Sequence, residues 1–138
     1  MIYFIDSNIF LRVLIKEKKF EECYKILDLV RKNKIKAITS SLVLAETDWV
    51  LEGFYKFEKM EVIEGLKSIL KLRGLKIFDK INPSLAIELY QNYNIKFIDA
   101  LIASNPKIFE KEIAIISYDK DFDKIGVIRK EPKDLIKK

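Results

Sequence analysis

The chain has 138 residues, a net charge of +5, 49% hydrophobic and 34% charged residues, a single cysteine, Cys23, and no histidine. That balance predicts one globular domain over residues 1–138 and excludes disorder, Ser-His-Asp triads, histidine or thiolate metal centres and an internal disulfide, so catalysis would fall to carboxylates, hydroxyls, lysines or an oxygen-bound metal. No apolar run approaches the ~18 residues of a membrane helix and no signal segment precedes the first strand, so no membrane role and a cytoplasmic setting are expected, while the positive charge permits a polyanionic partner.

Ile2-Tyr3-Phe4-Ile5 is an unbroken apolar run that suits a strand buried on both faces. It stops at Asp6, where Ser7 or Asn8 can cap a helix carrying Ile9, Phe10, Val13 and Leu14 at helical spacing. After a charged turn at 16–19, an amphipathic helix is expected over about 20–33, with Glu21–Lys25 and Asp28–Lys32 as i,i+4 pairs. Residues 37–39 read as a second strand, and Ser40 or Ser41 caps a helix over about 42–54. A further helix over about 58–73 closes at Gly74, before a third strand at 75–78. Asn82-Pro83-Ser84 starts a helix to about Asn92. Another covers about 97–104 and can resume after Pro106. The strand at 113–117 is followed by an acidic turn, 119–123, then an edge strand near 126–129 and a basic tail. Strands alternating with helices predict a parallel sheet covered on both faces.

Most of the 21 acids sit beside lysines on polar helix faces. Asp6 and Asp119 instead follow the two most apolar strands, at the carboxyl edge where α/β sheets build sites. Glu46 shares a helical face with Leu42, Val43, Trp49 and Val50, and Asp99 shares one with Ile95, Ile102 and Ala103. Each acid alone has a structural explanation, as a cap or as the partner of a base: Arg12 for Asp6, Lys96 for Asp99. The set of four is harder to dismiss, because converging carboxylates with too few bases repel. A hard divalent cation, Mg²⁺ or Mn²⁺, relieves that repulsion, and such sites handle phosphates.

Four stretches carry a resemblance: Phe4-Ile5-Asp6-Ser7-Asn8, Ser40-Ser41-Leu42-Val43-Leu44-Ala45-Glu46, Phe97-Ile98-Asp99-Ala100-Leu101-Ile102-Ala103 and Ile115-Ile116-Ser117-Tyr118-Asp119-Lys120-Asp121-Phe122. In that order and spacing the chain resembles the PIN-domain family, most like its VapC-type toxin ribonucleases. The resemblance implies a three-layer α/β/α fold around a parallel sheet of four or five strands. It places the family's catalytic and metal-binding acids on Asp6, Glu46, Asp99 and Asp119, with Ser7, Asn8, Ser117 and Asp121 in support; Asp123 is expected to be exposed. It further implies a Mg²⁺- or Mn²⁺-dependent endoribonuclease acting on RNA, usually a homodimer, held in check by a small antitoxin that reaches the cleft with an Arg or Lys. Other readings stay open: a PIN nuclease directed at DNA or at RNA processing, or a catalytically silent PIN-like nucleic-acid-binding module. A phosphotransferase with an aspartyl nucleophile would want a second Asp where Asn8 stands. An apolar surface around Trp49, Phe54, Tyr55 and Phe57 is either an interface or part of the core.

Overall fold

Ile2–Ile5 forms β1, the middle of a five-stranded sheet ordered β3-β2-β1-β4-β5, in a computed structural model that describes residues 1–136. The other strands are β2 (Lys36–Thr39), β3 (Leu75–Ile77), β4 (Ile113–Ile116) and β5 (Arg129–Lys130), and every pairing is parallel. Parallel neighbours require crossovers, and the helices supply them. They are α1 (Ser7–Leu14), α2 (Phe20–Arg31), α3 (Ser41–Trp49), α4 (Lys59–Leu70), α5 (Pro83–Asn92), α6 (Phe97–Ala103), α7 (Pro106–Phe109), α8 (Asp121–Ile125) and α9 (Pro132–Leu135). Helices α1 to α4 and α9 pack as one group and α5 to α8 as another. The expected three-layer α/β/α architecture is the one observed, with five strands rather than four.

Both faces of the middle strands are covered: Phe4, Ile5, Ile115 and Ile116 are all buried, which is why these segments are apolar without alternation. The core runs from them into Ile9 and Phe10 of α1, Ile26 of α2 and Ile102 of α6. A smaller cluster of Leu11, Leu51 and Val62 sits under α4. Gly74 follows α4 with φ +90, and a Cβ there would meet the Val30 carbonyl oxygen at 2.4 Å. Only glycine lets the chain pass α2 so closely before entering β3.

Several local expectations are corrected. Asp6 itself, not Ser7 or Asn8, caps α1. The helix expected over 42–54 leaves α-geometry after Trp49 and continues as a π-helical turn, Val50–Phe54. A wider turn changes the angular step per residue. Leu51 points inward there, while Trp49, placed by 3.6-residue spacing on the buried stripe, is 63% exposed. The acidic turn at 119–123 winds partly into α8, and the last strand begins at Arg129. Asp28 pairs with Lys32 and Arg31, but no Glu21–Lys25 ion pair forms among the described residues. The basic tail is only partly a tail: Arg129 pairs with Asp123 and Glu131, and 132–135 fold into α9. Lys137 and Lys138 lie outside the described residues. Among the described residues no helix is long and apolar enough to cross a membrane.

Candidate metal centre

The chain runs from β1 out to β2 and β3, then returns to β4 on the other side of β1. The carboxyl ends of β1 and β4 are therefore where strand order reverses, the place where α/β sheets leave a crevice. Ile5 and Ile116 are paired there, so the residues that follow each strand, Asp6 and 117–119, emerge side by side. Helix α6 brings Asp99 in its first turn and α3 brings Glu46.

Asp6 is buried and held by short polar contacts. The Ser7 amide donates to Oδ1 at 2.8 Å, the Ser117 hydroxyl to Oδ2 at 2.7 Å and the Asn8 side-chain amide to Oδ2 at 3.4 Å. The Asn8 amide also donates to Ser117 Oγ at 3.0 Å, while its oxygen accepts from the Tyr118 amide at 3.2 Å, locking α1 onto the turn after β4. The Ser7 hydroxyl donates to Glu46 Oε1 at 2.9 Å, so one residue ties Asp6 to Glu46. Ser117 Oγ accepts from the Asp119 amide at 2.9 Å, and Asp119 Oδ1 accepts from the Asp121 amide at 2.9 Å. The polar residues named beside the acids thus orient them.

The tightest cluster is Asp99, Asp119 and Asp121, whose carboxylate oxygens lie within 4.8 Å of one another. Asp121, given only a supporting place from the sequence, belongs to this triple, while Asp6 and Glu46 lie outside it. Asp123 is exposed, as expected, and pairs with Arg129. Asp99 is 1% exposed, and its Oδ2 has no hydrogen-bond partner. Burial, then the charges of Asp119 and Asp6, push the Asp99 carboxyl up to about 8, against a smaller opposing pull from Lys96. Burial, followed by the charge of Glu46, pushes Asp6 up to about 6, although its bonds to Ser117 and Ser7 work the other way. Both shifts have the same origin: negative charge drawn out of water without enough positive charge to meet it.

Neither base assigned from the sequence forms an ion pair with the acid expected for it, although the charge of Lys96 does act on Asp99. Arg12 does not pair with Asp6. Its guanidinium lies 4.5 Å from the Tyr118 ring centroid and donates to the Lys18 carbonyl at 3.2 Å. Lys96, expected to serve Asp99, sends its ammonium to Glu46 Oε2 at 3.9 Å and Asp119 Oδ2 at 3.6 Å. Burial lowers the Lys96 pKa, but Asp99, Asp119, Glu46 and Asp6 together outweigh it and the net shift is upward. Sequence spacing shows Lys96 only as a neighbour of Asp99. Its reach to acids on two other elements is a tertiary fact.

The donor set suits a hard cation. It consists of carboxylate oxygens with hydroxyl and amide support, and a buried oxygen on Asp99 is left without a partner. A transition metal that selects imidazole or thiolate would find neither among these side chains.

A family model described as PIN domain matches residues 3–128. Among solved structures, the chain is similar to VapBC2 from Rickettsia felis, bound there to a DNA fragment from their promoter, with 28% identity and a TM-score of 0.68 over 95% of this chain and 98% of that one. It is similar in fold to VapC20 from Mycobacterium tuberculosis, a sarcin–ricin loop cleaving toxin, with 16% identity and a TM-score of 0.67 over 93% and 97%. It is also similar in fold to FitAcB from Neisseria gonorrhoeae, with 20% identity and a TM-score of 0.66 over 98% and 100%. No curated protein matches the chain.

Proposed function

The chain belongs to the PIN domain family, and on that premise we propose that it is a Mg²⁺- or Mn²⁺-dependent endoribonuclease, the toxin of a type II toxin–antitoxin pair. The observation that carries the reading is the buried, unpartnered Asp99 Oδ2 beside Asp119 and Asp121. A structural carboxylate at 1% exposure would have its lone pairs satisfied. This one is held among like charges instead, an arrangement that is costly unless a cation joins it.

In this reading Asp99, Asp119 and Asp121 hold the cation, with Asp6 and Glu46 completing the acidic wall. A bound divalent ion supplies the positive charge that stabilises a phosphate under attack and lowers the pKa of water. Ser117, Ser7 and Asn8 keep the carboxylates oriented, so that little reorganisation is needed when substrate arrives. Exposed lysines beside the acids, Lys96 and Lys120, supply phosphate contacts that position the RNA backbone without reading its bases, while Lys124 is paired with Asp121 at 3.0 Å.

The similarity to VapBC2 and FitAcB supports a protein partner of the antitoxin kind, and that to VapC20 supports RNA as substrate. A homodimer fits the exposed Trp49, Phe54 and Met60, which are 63%, 74% and 66% accessible at the end of α3, in the π-helical turn and at the start of α4. Tyr55 and Phe57 are half-buried, and Phe57 packs against the Leu11, Leu51 and Val62 cluster.

Purified protein is expected to cleave RNA with Mg²⁺ or Mn²⁺ and to stop in EDTA, and Asp6→Asn is expected to abolish cleavage. Attack by water leaves 5′-phosphate and 3′-hydroxyl ends. Undiminished cleavage in EDTA, or 2′,3′-cyclic phosphate ends, would overturn the mechanism.

A further inference from the structure

We infer that Lys96 is a built-in competitor for the cation site: its ammonium is the counterion of Glu46 and Asp119 in the metal-free protein and must leave Asp119 when a divalent ion enters. The inference rests on the metal-site reading above and adds a residue to it.

The ammonium sits 3.6 Å from Asp119 Oδ2 and 3.9 Å from Glu46 Oε2. Those acids come from different elements, the turn after β4 and helix α3. Lys96 itself precedes α6, and its carbonyl accepts from the Asp99 and Ala100 amides at 3.1 Å each. One residue therefore starts the helix that carries Asp99 and supplies the charge that holds Glu46 and Asp119 together. No other Lys or Arg lies within ion-pair distance of Glu46 or Asp119 among the described residues, while Asp121 is paired separately with Lys124 at 3.0 Å. Asp99 Oδ2, in the same cluster, still lacks a partner. The lysine thus neutralises the rim of the site and leaves its floor unsatisfied.

A divalent ion held by Asp119 and Asp99 would use a carboxylate that this ammonium already occupies. Both are positive and claim the same carboxylate, so they exclude one another. The side chain is 60% exposed, so it can swing into solvent at little steric cost. Once released, it remains tethered at the rim of the acidic wall, where an RNA phosphate would approach. The lysine then plays two parts: it limits metal affinity when substrate is absent and offers a phosphate contact when the ion is bound.

Mn²⁺ binding measured by isothermal titration calorimetry on the full chain tests this. Lys96→Met keeps the stem and removes the charge; Lys96→Arg keeps the charge. Because solvent screens an exposed ammonium, Lys96→Met is expected to bind Mn²⁺ about tenfold more tightly, or ~1.4 kcal/mol. Lys96→Arg is expected to stay near the unmodified protein. Equal or weaker binding by Lys96→Met overturns the inference, as does equal tightening by both variants, since charge would then not be the cause. The unmodified protein gives a second measurement: acylation of Lys96 by an amine-reactive ester, followed by peptide mass spectrometry, should rise when Mn²⁺ is added. No rise means that the ion does not displace the lysine. Asp99→Asn separates the two levels of argument. If it binds Mn²⁺ as well as the unmodified protein, the metal-site reading fails. If it loses Mn²⁺ while Lys96→Met is unchanged, only the competitor role fails.

Discussion

Replacing Asp99 by Asn sets function directly against stability. The side chain is 1% exposed, and its carboxyl is pushed from 3.8 up to about 8, first by burial and then by Asp119. An acid with a folded pKa above its unfolded one binds more protons when folded. Its neutral form therefore contributes stability that is fully present below the unfolded pKa and is lost as pH rises through the folded one. The slope approaches ~1.4 kcal/mol per pH unit inside that window. Carried across most of the interval, this slope takes on the order of 4 kcal/mol from the metal-free protein by pH 8, because the unfolded chain ionises Asp99 while the fold keeps it protonated. Asn has nearly the same shape and does not ionise. Its amide can donate to the Asp119 carboxylate, which offsets the ~1–3 kcal/mol cost of an unpaired buried donor. In EDTA, urea denaturation followed by circular dichroism should find the variant close to the unmodified protein at pH 5 and more stable by ~2–4 kcal/mol at pH 8. Mn²⁺ at 100-fold over its dissociation constant should add ~2.7 kcal/mol to the unmodified protein and much less to the variant. Cleavage should be lost. A variant less stable than the unmodified protein at both pH values, yet still protected by Mn²⁺ and still cleaving RNA, would remove Asp99 from the site and refute the reasoning.

Ser117→Ala deletes the hydroxyl that donates to Asp6 Oδ2 at 2.7 Å. Its bond opposes the upward shift of Asp6 to about 6, so the variant should lose ~1–3 kcal/mol at pH 7 and less at pH 4, where Asp6 is protonated in both proteins; equal loss at both pH values in denaturant titrations would contradict this. Gly74→Ala places a Cβ 2.4 Å from the Val30 carbonyl oxygen at φ +90. It should cost more than the ~1–2 kcal/mol of a left-handed backbone alone, read as a fall in the urea midpoint. Phe54→Glu charges a ring that is 74% exposed. If Trp49, Phe54 and Met60 meet a second copy, light scattering at micromolar concentration should show a dimer for the unmodified protein and a monomer for the variant, with the thermal midpoint of the monomeric fold preserved.

Much of the architecture is written locally. Ile2–Ile5 and Ile113–Ile116 are apolar without alternation, which only a strand buried on both faces explains, and Asp6 and Asp119 follow them at the carboxyl edge. Asn82-Pro83 and Gly74 mark element ends through fixed backbone preferences. Asp99, alone on an apolar helix face, is as buried as that face demands. What local pattern could not decide is how charges pair across elements. Trp49 ends α3 with its indole 63% exposed although 3.6-residue spacing had placed it on the buried stripe, and a π-helical turn follows it. Arg12 and Lys96 each have an acid nearby in sequence, yet Arg12 stacks on Tyr118, and Lys96 reaches Glu46 and Asp119. Hydrophobic periodicity is a property of consecutive residues, so it survives in the bare sequence. The position of an ammonium at the end of a flexible stem is set by the sum of fields from side chains remote in sequence, and that sum exists only once the sheet has brought the strand ends together.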